Sequence, residues 1–80
     1  MNKVIIHGEL LAFGSNHITI KTKNKYGDPS REYVNIDIII DSDMGQEIPH
    51  TLGTNLLIVG YLAWDHELYI VADYIIVKGA

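Results

Sequence analysis

The chain has no cysteine, two prolines, one tryptophan and only six basic residues among its eighty. Each shortage removes a class of protein. Without cysteine there is no disulfide framework and no thiolate metal site, so a domain this small must be stabilised by packing, with self-association as the remaining supplement. A reducing compartment fits that composition. Six Lys and Arg against ten Asp and Glu give a formal net charge of −4. Such a balance argues against a protein that coats phosphate through bulk charge, because that affinity comes from neutralising cations. The longest apolar stretch, Leu56 to Trp64, is nine residues and contains Gly60, far short of a membrane-spanning helix. The run from Lys3 to Ile6 meets His7 and Glu9 too early for a secretory core. The expectation is a soluble, cytoplasmic protein with no membrane partner.

Catalytic and metal motifs are missing too. His7, His17, His50 and His66 show no ligand spacing such as H-E-x-x-H. The segment "DSDMGQE" (residues 41–47) has acids at alternate places, but it is too short for a calcium loop and lacks the distal bidentate Glu. There is no nucleophile motif, phosphate loop or dinucleotide fingerprint, and the glycines are scattered singly. The expectation is a non-enzymatic protein without cofactor or metal.

What is present is strand signal along one domain, residues 1–80. No window of eleven or more residues carries a 3.6 period. In "HITIKTK", Ile18, Ile20 and Thr22 share one face, and His17, Thr19, Lys21 and Lys23 the other. "EYVNIDIII" alternates likewise, with Val34, Ile36, Ile38 and Ile40 inward and Tyr33, Asn35, Asp37 and Ile39 outward. "NLLIVGYLAW" is apolar on both faces, as a central or partner-covered strand is. "LYIVADYIIVKG" supplies a last strand, bent near Ala72-Asp73. Gly8 suggests a bulge or bend in the first strand. Between strands three and four, Gly45 and Pro49 limit any helix to one or two turns. Charge is lopsided: Lys21, Lys23, Lys25 and Arg31 lie in a window whose only acid is Asp28, and Asp37 to Glu47 holds four acids and no base.

These features describe an all-β fold, the five-stranded Greek-key OB-fold barrel, with a short or degraded helix between strands three and four. Composition alone leaves other small barrels open. "MNKVIIHGEL" resembles the opening M-N-K-V-x-L-x-G-x-L of bacterial and phage single-stranded DNA-binding proteins, matching at Met1, Asn2, Lys3, Val4, Gly8 and Leu10. "EYVNI" is similar to that family's third strand. "LGTNLLIVGYL" resembles its K-G-S-x-V-x-V-x-G-x-L fourth strand through Gly53, Thr54, Leu56, Ile58, Gly60 and Leu62, and "VADYIIV" stands in the place of its closing strand.

The resemblance implies largely sequence-independent binding of single-stranded DNA, in replication or recombination of a phage, plasmid or mobile-element kind. Such binding needs a groove that tracks phosphates and flat side chains on which bases stack. Tyr33 sits where the family carries a stacking aromatic. Lys21 and Lys23 share the outward face of strand two, and Lys25, Tyr26 and Arg31 lie on or near the loop that in the family wraps the nucleic acid. Tyr61 has the parity to extend the platform. Trp64 shares parity with Leu62, which favours closing the barrel over stacking. RNA is a further possible ligand, because stacking does not read the sugar. The family's long extension with an acidic tip is missing from this sequence, so recruitment of partners by that route is not expected. Leu57, Val59 and Ile39 are apolar at outward positions and predict a homodimer or higher homo-oligomer. The competing reading is an OB-fold interaction or assembly module in which nucleic-acid binding is weak or lost.

Overall fold

A computed structural model of the chain describes residues 2–23, 30–41, 44 and 47–78. Five strands are present: β1 (Lys3–Phe13), β2 (His17–Lys23), β3 (Tyr33–Ile40), β4 (Asn55–Asp65) and β5 (Glu67–Val77). They close into a barrel in the order β1-β2-β3-β5-β4, with β4 returning to β1. Every pairing is antiparallel except β3 with β5, which runs parallel over Ile38–Ile40 and Ile70–Ala72. This is the strand order of the OB-fold barrel read from the sequence.

Closure depends on β1 serving two neighbours. Residues Lys3 to Glu9 pair with β4, and Glu9 to Phe13 pair with β2. The strand changes partner around Gly8 and Glu9. Gly8 is not in the left-handed region, where the one glycine among the described residues is Gly53 at φ 87°. Its role is clearance: a Cβ built on Gly8 comes within 2.7 Å of the Lys21 carbonyl oxygen, so β1 and β2 approach there because no side chain intervenes. The bulge lies further on, where the β1–β2 register passes from Leu10 to Ala12 and leaves Leu11 unpaired. A second bulge takes up Asp73, since Val59 pairs with Tyr74 and Gly60 with Ala72. The bend expected near Ala72-Asp73 is this feature.

Inside the barrel the alternation does what period two requires. Leu10, Ile18, Ile20, Ile38, Ile40, Leu56, Ile58, Ala72 and Ile75 form one buried cluster, with Ile6, Ile36, Met44, Ile48 and Ile70 packed against it. The core is almost wholly aliphatic, and no polar side chain is buried among the described residues. Hydrophobic burial therefore carries the fold, at roughly 25 cal/mol per Å² removed from water. The inward parities assigned to β2 and β3 match this cluster.

The connection from β3 to β4 is irregular among its described residues and contains no helix there; Ser42, Asp43, Gly45 and Gln46, in the segment where the short helix was expected, lie outside them. Its end is tied down. The Gly53 amide donates to the Leu10 carbonyl at 2.8 Å and the Leu10 amide to the Thr54 carbonyl at 2.9 Å, so the turn before β4 docks on β1. No helix among the described residues is long and apolar enough to cross a membrane.

Candidate nucleic-acid interface

The outer face of the β2–β3 hairpin collects the residues with nucleic-acid chemistry. Register sets Lys23 opposite Tyr33, Lys21 opposite Asn35, and Thr19 opposite Asp37. All six point away from the core, because their neighbours Ile18, Ile20, Ile36 and Ile38 point into it. Lys21 leans diagonally toward the strand start and holds its Nζ 4.4 Å from the centre of the Tyr33 ring, a reach typical of diagonal neighbours in a sheet. Tyr33 is 46% exposed. Arg31 is exposed two residues before it. A flat ring and two lysines thus share one face of the barrel, with Arg31 in the segment just before it.

That side is bounded by carboxylates. Glu9 pairs with Lys21 from the β1 side. Asp37 accepts a 2.7 Å hydrogen bond from Thr19 Oγ1, which fixes its carboxylate on the same face as Tyr33 and Asn35. The positive track is therefore short. Where β2 leaves β1, Thr22 Oγ1 donates to the His7 carbonyl at 2.9 Å and holds the basic strand against the barrel.

No protein-family model and no curated protein matches this chain.

The other described site residues expected from the sequence lie elsewhere. Lys25 and Tyr26 lie outside the described residues. Tyr61 stands on the outer face of β4 and donates its hydroxyl to Asp41 Oδ2 at 3.3 Å. Asp41 follows the far end of β3, roughly 25 Å along the strand from Tyr33 at about 3.3 Å per residue. Tyr61 also lines an open concavity of about 620 Å³ with Asn16, Asp41, Asp65, Glu67 and Tyr69. Desolvation, reinforced by the neighbouring Asp41, raises the Tyr61 phenol above its ordinary value of 10.0. Three carboxylates line that concavity, so Tyr61 sits in an acidic setting at the end of β3 opposite Tyr33.

Trp64 pairs with Leu68 near the tip of the β4–β5 hairpin. It is 73% exposed, so the expectation that it closes the barrel is overturned. The hairpin is longer than the barrel wall needs, and its inward-parity residues emerge past the rim. At the tip, His66 takes φ 67° between Asp65 and Glu67.

A third surface covers β1, β4 and β5 and is apolar. Ile5, Val59 and Tyr74 form one cross-strand row, and His7, Leu57 and Ile76 the next. Ile5, Tyr74 and Ile76 are exposed, whereas Val59 beneath them is 4% exposed. Of the outward apolar positions read from sequence, Leu57 and Val59 belong here and Ile39 lines the acidic concavity. Sequence reading missed Ile5, Tyr74 and Ile76, whose alternation was legible but whose alignment across three strands needs the register. No group of three or more His, Cys, Asp and Glu suited to a metal ion occurs among the described residues. His50 packs edge-on against the Phe13 ring at 4.7 Å, a structural use of a histidine.

Proposed function

We propose that this protein binds single-stranded DNA non-enzymatically and with little sequence dependence, through the outer face of β2 and β3. The observation that carries the reading is the exposed Tyr33 ring with the Lys21 ammonium 4.4 Å from its centre. An exposed cation–π contact is worth about 0.5–1 kcal/mol, whereas stacking a base on an aromatic ring contributes about 1–3 kcal/mol. A base can therefore displace Lys21 from the ring, and the released ammonium meets the phosphate beside it. Lys23 and Arg31 continue the phosphate contacts on the same side. Glu9 and Asp37 limit the track, so affinity is modest and salt-sensitive.

The test is a titration of fluorescent oligothymidine at low and moderate salt, with a duplex and a matched RNA alongside. Binding of the unpaired DNA, weaker binding of the duplex, and a loss of affinity with salt are the expected results. Tyr33→Ala reduces the affinity about tenfold while leaving the circular dichroism unchanged, in keeping with the loss of one stacked base. Absence of binding to any strand at tens of micromolar contradicts the reading.

A second reading, an assembly module, is favoured by the apolar rows on β1, β4 and β5. The two readings differ in which surface is used. Self-association through the exposed Ile5, Tyr74 and Ile76 leaves the β2–β3 face open, so a homodimer that binds DNA satisfies both. Light scattering of wild type and Ile5→Lys separates them: loss of the dimer with DNA binding retained assigns the apolar face to assembly.

A further inference from the structure

Asp37 is an odd neighbour for a phosphate site. A carboxylate repels the backbone that Lys21 and Lys23 attract, yet here it is held on the binding face by Thr19 Oγ1 at 2.7 Å and is exposed. On β3, Tyr33, Asn35 and Asp37 stand at alternate positions of one face, successive pairs being roughly 6.6 Å apart at the Cα atoms. A bound strand that stacks one base on Tyr33 and runs along β3 would pass its neighbouring base over Asn35 and Asp37. We propose that Asp37, with Asn35, reads the Watson–Crick edge of that second base and prefers guanine, a preference at one base position within otherwise sequence-tolerant binding; the inference rests on the DNA-binding reading above.

The chemistry is selective. A carboxylate accepts hydrogen bonds and donates none, and its two oxygens offer about four lone-pair sites. Thr19 uses one of them at Oδ1, which leaves both oxygens able to accept another donor. Guanine presents two adjacent donors, N1–H and the N2 amino group, to such a pair. Thymine offers a single N3–H flanked by two carbonyl acceptors, and those oxygens meet Asp37 oxygen to oxygen. Cytosine and adenine each place a ring acceptor next to their amino donor, so one of two contacts is repulsive. Asn35 carries both a donor amide and an acceptor oxygen, and can satisfy the guanine O6 from beside the carboxylate. The Thr19 hydrogen bond pre-orients the carboxylate, which lowers the ordering cost of the contact.

The experiment measures anisotropy with three labelled oligothymidines of equal length, one unmodified, one with a single central guanine and one with a central inosine, which lacks the N2 amino group. Wild type is expected to bind the guanine strand about fivefold to tenfold more tightly than the unmodified one, the low end of a bidentate base contact, with inosine between them. In Asp37→Asn the unmodified strand binds more tightly than it does to wild type, and the guanine advantage disappears. Thr19→Val, which keeps the carboxylate and removes its anchor, reduces the advantage without reversing it. Equal affinities for guanine and thymine strands in wild type, or a guanine advantage that survives in Asp37→Asn, overturn the assignment of Asp37 while strand binding stands. No binding of any of the three overturns the DNA-binding reading itself and this inference with it.

Discussion

Single residues on this barrel carry separable tasks, and substitutions can tell them apart. Lys21 sits on the Tyr33 ring and, on the proposed reading, also serves phosphate. If three cations act on the strand, the logarithmic salt dependence has a slope of about −2, and Lys21→Ala lowers its magnitude by ~0.7. Affinity measured at several salt concentrations checks this. Gly60 has no such chemistry, but its lack of a side chain is structural: a Cβ there collides with the Val71 carbonyl oxygen. Gly60→Ala is expected to destabilise the fold by about 1–3 kcal/mol, read as a lowered thermal midpoint. Tyr61 supplies a pH signature. Its neutral form is favoured in the folded state, because desolvation and Asp41 raise its phenol above 10.0. The stability it contributes is complete below pH 10 and is lost as pH rises through the raised folded value. The difference between the alkaline absorbance titrations of wild type and Tyr61→Phe is expected to have its midpoint above pH 10.

At the scale of elements, β1 and the β4–β5 hairpin show what was legible in the sequence and what was not. Period-two alternation named the inward residues of β2 and β3, because each such strand has one dry face. The glycine in β1 was visible, but not its reason. Clearance from the Lys21 carbonyl involves a residue thirteen positions away, and no local pattern reports it. The consequence is functional: Gly8→Ala pushes on the backbone of Lys21, and is expected to lower both the melting temperature and the affinity for oligothymidine. The acidic surroundings of Tyr61 were not legible for a similar reason. Parity says which side of a strand a residue occupies, while its neighbours depend on strand order, and the parallel β3–β5 pairing brings Asp41 and Glu67 to it. The exposure of Trp64 was not legible because hairpin length relative to the barrel wall is a property of the closed sheet. As the single tryptophan, it makes intrinsic fluorescence a probe of that arm, and accessible quenching by iodide in the free protein is the expected result.

Over the whole molecule the surface is divided by strand. The β2–β3 side bears a ring and cations bounded by carboxylates, the far end of β3 opens on an acidic concavity, and β1, β4 and β5 present apolar rows. On the proposed reading that division would let a protein of net charge −4 engage a polyanion, since cations on one face act within a Debye length of about 10 Å at 0.1 M salt while the acids around the Tyr61 concavity lie beyond it. It would also put assembly and binding on different faces. The most direct measurement is a map of backbone amide chemical shifts as unlabelled oligothymidine is added to isotopically labelled protein. Our account predicts the largest changes at residues 19–23 and 31–37, at the outer face of β2 and β3, with the amides of Ile5, Val59 and Tyr74 little affected. Changes concentrated on those apolar rows, or none anywhere at saturating oligonucleotide, would contradict it.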